Sequence, residues 1–194
     1  TIYVSSNMVL GKDCKDRSEE AIPNPNIEYG KMKYICEKKI YEKADELGNV
    51  ARLAIFRMTK NISPETTPFL NWIKNYKNDE PIIAFKDLYF SPLFYEKSAD
   101  ALMRLANLGT PGIFHFSGQK DIDYYELCSE VNKVLMKKGK KQMKIIESTS
   151  KEQGITLEDI GSMTFLDMKR TSTMLKIKPV KLSEICDYII SLLV

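Results

Sequence analysis

Apolar positions recur along this chain in two alternating rhythms. A short run, Ile2 to Ser5, reads as a buried strand. Residues 11 to 27 mix charges with Pro23, Asn24 and Pro25 and read as a loop. Helical spacing then runs from Glu28 to about Leu47, closed by Gly48. Val50 to Phe56 reads as a strand, and Ser63-Pro64 as the opening of a helix that continues to about Asn75 and presents Phe69, Leu70, Trp72, Ile73 and Tyr76. Pro81 to Phe85 and Ile113 to Phe116 have strand character, with Phe90 in a further short strand, and Ile145-Ile146 begins another. Helices are expected over Glu96 to Ala106, Asp123 to Met136 and Ser183 to Leu193. The last repeats an apolar stripe at Ile185, Cys186, Ile189, Ile190 and Leu193. Strands that alternate with helices predict an α/β protein.

Composition narrows the classes without choosing among them. The 194 residues are 43% hydrophobic, enough for one sizeable core, alone or with a small lobe. A net charge of +3, from 29 basic and 26 acidic residues, makes no case for a nucleic-acid partner. The densest basic run, six lysines from Lys133 to Lys144, falls at a helix end and reads as solvated surface. No apolar stretch approaches the roughly 20 residues that span a bilayer, so no membrane partner is expected. Cysteines at 14, 36, 128 and 186 are too dispersed for a metal knuckle or a redox pair, and no metal site is expected. Reduced thiols point to the cytoplasm. The single histidine, His115, lies in a strand pattern with no neighbouring carboxylate in sequence and reads as structural.

Chemistry enters at Tyr29-Gly30-Lys31-Met32-Lys33, at the head of the first long helix. Positions four apart on a helix lie one turn apart on the same face, so Tyr29 and Lys33 can address one small volume. An ammonium beside a phenol favours the phenolate and makes the tyrosine a usable proton donor and acceptor. The spacing alone is common, and its bland reading is a core-facing ring beside a solvated lysine. A short hydroxyl, Ser6, upstream at the end of the first strand, can hold an oxygen that gains charge as a carbonyl is reduced.

The order of these residues carries a resemblance. Tyr3-Val4-Ser5-Ser6-Asn7-Met8-Val9-Leu10-Gly11, then Glu19-Glu20, Pro23 and Pro25, the Tyr29-x-x-x-Lys33 motif and Glu37 together resemble the extended short-chain dehydrogenase/reductase family. The similarity is to its nucleotide-sugar branch, such as the dTDP-4-dehydrorhamnose reductases. It continues through Leu53 to Arg57, Phe90-Ser91-Pro92-Leu93, Ser98 to Leu102, Gly112 to Gly118, Tyr124 to Leu127, and Leu166-Asp167 before Thr173-Met174-Leu175, and so covers nearly the whole chain. It implies an incomplete Rossmann-type parallel sheet with helices, plus a small C-terminal substrate-binding lobe. Residues 1–60 would be the C-terminal part of the dinucleotide-binding domain and 61–194 mainly the lobe, with 96–118 returning to the sheet domain.

The resemblance also implies NAD or NADP as cofactor and a nucleotide-linked sugar as substrate, handled by a reductase or an epimerase. Ser6, Tyr29 and Lys33 would be catalytic, with Tyr29 as proton donor and with Tyr29 and Lys33 also on the cofactor. None of the nine glycines forms the Gly-x-Gly-x-x-Gly turn that receives a pyrophosphate. The expectation is therefore a C-terminal portion of a longer protein. Its sheet edge would be apolar and exposed, to be covered by a missing N-terminal segment, a homodimer or a rearranged core. Three departures bear on substrate. Asn7-Met8 stand where reductases have Asp-Tyr and dehydratases Asp-Glu, Met58-Thr59-Lys60 replace a Thr-Ser-Trp-like turn, and Pro68-Phe69 replace an Asn-Phe pair. A binding or regulatory subunit without turnover, and an inactive fragment, are the alternatives.

Overall fold

The computed structural model describes residues 1–65, 67–155 and 163–194. Thr66, inside the helix expected from Ser63, and 156–162, inside the expected lobe, lie outside the described residues. Strand β1 (Ile2–Ser6) runs into a 3-10 turn at Asn7–Leu10, and α1 spans Glu28–Glu46. There follow β2 (Ala54–Met58), β3 (Lys60–Ile62), α2 (Phe69–Lys77), β4 (Ile82–Phe85), β5 (Tyr89–Phe90) and β6 (Pro92–Phe94). Then come α3 (Tyr95–Leu108), β7 (Gly112–Phe116), β8 (Ile122–Asp123), α4 (Tyr124–Lys137), β9 (Ile145–Ser148), α5 (Lys169–Leu175) and α6 (Leu182–Leu193).

The largest sheet is parallel, in the order β1-β2-β7, with Ser6, Met58 and Phe116 in register at its carboxyl end. As the middle strand, β2 is covered on both faces, which is why Ala54, Ile55, Phe56 and Arg57 form a buried run rather than an alternation. Ala54, Phe56, Phe114 and Phe116 face the main core, which continues through the stripes of α3, α4 and α6. Tyr3, Ser5, Ile55, Arg57, Ile113 and His115 share the opposite face by register, and α1 packs there. β1 is an outer strand with Val4 37% exposed, and on the face that carries α1 Ile55 and Ile113 line an open apolar groove with Tyr41 and Val50. Two-stranded pairs β3-β6, β4-β9 and β5-β8 complete the described sheets.

Local chemistry explains several boundaries. Asp123 caps α4 by accepting the Glu126 N–H at 2.6 Å, and Gly109 closes α3 in the left-handed region at φ 65°. Two expectations need correction. Val50–Arg52 is a 3-10 turn and the strand starts at Ala54, because the ladder begins at the Ile2, Ala54 and Gly112 register, next to Pro111, which has no N–H to donate. The helix expected from Ser63-Pro64 begins instead at Phe69. Pro68 disfavours helical geometry at Thr67 but suits a helix start itself, while Ser63 accepts the Glu65 N–H in a tight turn. Sequence reading also passed over β3, β6 and β8, which are two or three residues long and carry no periodicity.

Candidate active site

Ser6 ends β1 in extended geometry, and its hydroxyl serves as the cap of the following 3-10 turn. Oγ accepts the Met8 N–H at 3.2 Å and donates to Asn7 Oδ1 at 3.2 Å. The amide orientation of Asn7 is fixed from its other end, where Nδ2 donates to the Thr164 carbonyl at 2.8 Å. Thr164 is itself held by Asp121, whose carboxylate accepts the Thr164 N–H, the Thr164 hydroxyl and the Phe165 N–H. The serine is thus tied through one buried side chain to a segment more than 150 residues away in sequence.

Two glycines bring α1 to this turn. Gly11 has φ 66°, and a Cβ there would lie 2.0 Å from the Asn24 carbonyl oxygen. At Gly30 a Cβ would lie 2.3 Å from the carbonyl oxygen of Met8. The first turn of α1 therefore rests on the backbone just beyond Ser6, with Tyr29 adjacent. Tyr29 is 48% exposed, and among the described residues its hydroxyl has no hydrogen-bond partner. Lys33 Nζ donates to the carbonyl of Val4, two residues before Ser6, at 3.2 Å. The same ammonium stands 5.3 Å from the Tyr3 ring centroid and 5.9 Å from that of Tyr29. The three expected residues are brought to one corner of the molecule, although no hydrogen bond joins any two of them directly among the described residues.

Beneath this corner lies a buried polar layer. Glu37, eight residues after Tyr29, pairs with one edge of the Arg57 guanidinium, with Nε to Oε1 at 3.0 Å and Nη2 to Oε2 at 2.7 Å. Burial and the Arg57 charge push His115 down to about 3, so its ring is neutral at ordinary pH and its Nδ1 stands 3.0 Å from the Asp167 carbonyl. Burial and a hydrogen bond with Cys36 push the Tyr3 phenol up to about 12, which keeps it neutral beside Lys33. Asn7, Asp121 and the Glu37–Arg57 pair are the parts of the site that sequence reading missed or left without a role. For the last, the spacing of Glu37 from Tyr29 was the available signal.

Other sequence candidates resolve as surface or core. Lys133, Lys138, Lys141 and Lys144 are exposed and paired with carboxylates. All four cysteines are free, and burial pushes the Cys186 thiol up to about 11. Among the described residues no group of three or more His, Cys, Asp or Glu side chains could hold a metal ion, and no helix is long and apolar enough to cross a membrane.

A parallel sheet with a serine at its carboxyl edge and a Tyr-x-x-x-Lys helix laid against it defines a Rossmann-type fold of the extended short-chain dehydrogenase/reductase kind. The chain belongs to the RmlD substrate binding domain family, whose model matches residues 1–186. No curated protein sequence matches it. Among solved structures, dTDP-4-dehydrorhamnose reductase from Yersinia enterocolitica is similar with a TM-score of 0.80 at 19% identity, over 100% of this chain and 66% of that one. UDP-glucuronic acid 4-epimerase from Bacillus cereus, in complex with UDP-glucuronic acid and NAD, gives 0.75 at 20% identity, over 98% and 61%. RMD from Pseudomonas aeruginosa complexed with NADPH gives 0.76 at 16%, over 99% and 65%. At these identities the likeness is one of fold. The chain spans 61% of the epimerase's length.

Proposed function

We propose that the protein carrying this chain is an NAD- or NADP-dependent oxidoreductase of nucleotide-linked sugars, a reductase or an epimerase, with Ser6, Tyr29 and Lys33 as its proton-handling group. The observation that carries this reading is Lys33 bonded to the strand that ends in Ser6, with the open Tyr29 hydroxyl beside it. Lys33 Nζ uses one of its three donors on Val4 and keeps two that suit the hydroxyls of a nicotinamide ribose. These residues fit the nicotinamide end of such a cofactor. The pyrophosphate end has no counterpart here, since the sequence contains no glycine-rich fingerprint. When bound, the cofactor supplies or accepts hydride at the sugar carbon.

Each side chain then has a definable task. Ser6 rotates its proton from Asn7 Oδ1 toward the substrate oxygen and holds that oxygen as charge develops. Tyr29 gives its phenolic proton to the same oxygen in the reducing direction, and the Lys33 charge stabilises the phenolate left behind. Residues 1–60 and 96–118 belong in this reading to the sheet domain, and much of 61–194 to the substrate lobe. Tyr29→Phe in the intact protein is expected to abolish turnover while cofactor binding, followed by thermal shift, stays near the unmodified level. Surviving turnover sinks the assignment.

A binding or regulatory subunit is the second reading. It is favoured by Met8, Met58 and Lys60, which depart from the residues that the related reductases carry at these positions. Cofactor-dependent stabilisation together with turnover of a nucleotide sugar decides for the enzyme. Sugar binding without either decides for the subunit.

A further inference from the structure

Beyond Met58 the backbone of β2 leaves the sheet at its carboxyl end. The Thr59 N–H donates to the Phe116 carbonyl at 3.1 Å, and Lys60 opens β3 in the next position. Ligands of open parallel sheets gather beyond the carboxyl ends of the strands, the end at which Ser6 also lies. Lys60 is exposed, and its surroundings differ from those of other lysines on this surface. Lys97, Lys120 and Lys138 reach carboxylates. Lys60 Nζ instead donates to the Tyr124 phenol oxygen at 2.6 Å and stands 5.4 Å from the Tyr124 ring centroid and 5.7 Å from that of Phe90. Among the described residues no carboxylate reaches it.

The support beneath the ammonium is rigid. Tyr124 stacks on Phe90 at 4.4 Å between centroids and meets Trp72 edge-on at 6.0 Å, and all three rings are buried. An ammonium pinned at one donor to the phenol oxygen, at the edge of the aromatic cluster, keeps two N–H groups for an acceptor, and the neighbouring rings strip part of its water without neutralising its charge. Two buried polar atoms in this neighbourhood have no hydrogen-bond partner among the described residues. These are the hydroxyl of Thr59, the adjacent residue, and the indole N–H of Trp72, which is 2% exposed.

Resting on the reading above, we propose that Lys60 is a specificity determinant that binds an anionic oxygen group of the substrate, either a carboxylate on the sugar or the diphosphate linkage. Tyr124 is its positioning residue. The phenol oxygen fixes the ammonium, and the Phe90 stack fixes the phenol.

Titration calorimetry on the intact protein tests this with three probes: a nucleoside diphosphate linked to glucuronate, the same nucleotide linked to glucose, and the nucleoside diphosphate alone. Lys60→Met is expected to weaken binding about ten- to hundredfold, the range of a hydrogen bond to a charged group, whereas Lys60→Arg stays within a few-fold. Loss confined to the glucuronate assigns the sugar carboxylate, and equal loss on all three assigns the diphosphate. Tyr124→Phe keeps the ring stack and removes only the oxygen that holds Lys60, so a loss of about three- to tenfold is expected without any change in folding. If the unmodified protein binds the probes and Lys60→Met binds all of them within twofold of it, the proposal is overturned and the parent reading stands. If the unmodified protein binds none of the three, both fall.

Discussion

The corner around Ser6 and the cluster around Tyr124 each fix a polar group, and they do so by opposite means. At Ser6 the precision comes from backbone. Two glycines let chain segments approach at distances that no side chain permits, and a buried Asn7 spans the gap to Thr164. At Lys60 it comes from side-chain volume, with Phe69, Trp72, Phe85 and Phe90 packed around one tyrosine. Backbone contact is unforgiving because a carbonyl cannot move without its strand. Aromatic packing tolerates exchange as long as volume is kept.

The largest expected effect lies in the polar layer under the first region. Glu37→Ala leaves the Arg57 guanidinium buried without its anion and is expected to cost about 3–5 kcal/mol in denaturant unfolding. A cost below ~1 kcal/mol would show that water reaches Arg57. Gly30→Ala follows, with about 1–3 kcal/mol expected from the forced shift of α1 away from Met8. Because that shift also moves Tyr29, turnover should fall further than stability alone explains, and an unaltered kcat removes the link between Gly30 and the site. Phe90→Leu, the matching insult to the second region, is expected to cost less than about 1.5 kcal/mol if aromatic packing is the more tolerant device. A larger loss than Gly30→Ala reverses the comparison.

The smallest effect concerns pH. The His115 imidazole titrates near 6.5 when unfolded but near 3 in the folded chain, where burial and Arg57 oppose its charge. Between those values the unfolded chain binds more protons, so the stability that His115 contributes is full above about pH 6.5 and is lost as pH falls toward 3. Between pH 7 and pH 6 the unfolding free energy of the unmodified protein should fall by about 0.7 kcal/mol, and by less for His115→Gln. Equal slopes would place the pH dependence elsewhere.

Much of the first region was legible in sequence because its signals are local. The Tyr29 and Lys33 spacing, the serine at a strand end and the charged helical run all lie within forty residues. Periodicity located α3, α4 and α6 to within two residues, since each carries a full apolar stripe. It misplaced the start of α2, where Pro64 and Pro68 give competing start signals, and it ran β2 into a 3-10 turn whose apolar residues look like strand. The bond from Asn7 to Thr164 and the seat of Lys60 on Tyr124 had no such signal, because the partners are 157 and 64 residues apart.

The sequence by itself determined the alternation of strands and helices, the family resemblance and the chemical character of the Ser6, Tyr29 and Lys33 group. These are written in residue types at short spacing, where the chain's own geometry sets distance. Tertiary structure alone decided that Lys33 reaches back to Val4, that Glu37 pairs with Arg57 rather than with solvent, and that Lys60 is braced by a phenol instead of a carboxylate. Each of those contacts joins elements that meet only when the sheet and the aromatic core form, and the removal of apolar surface from water supplies the driving force that brings them together.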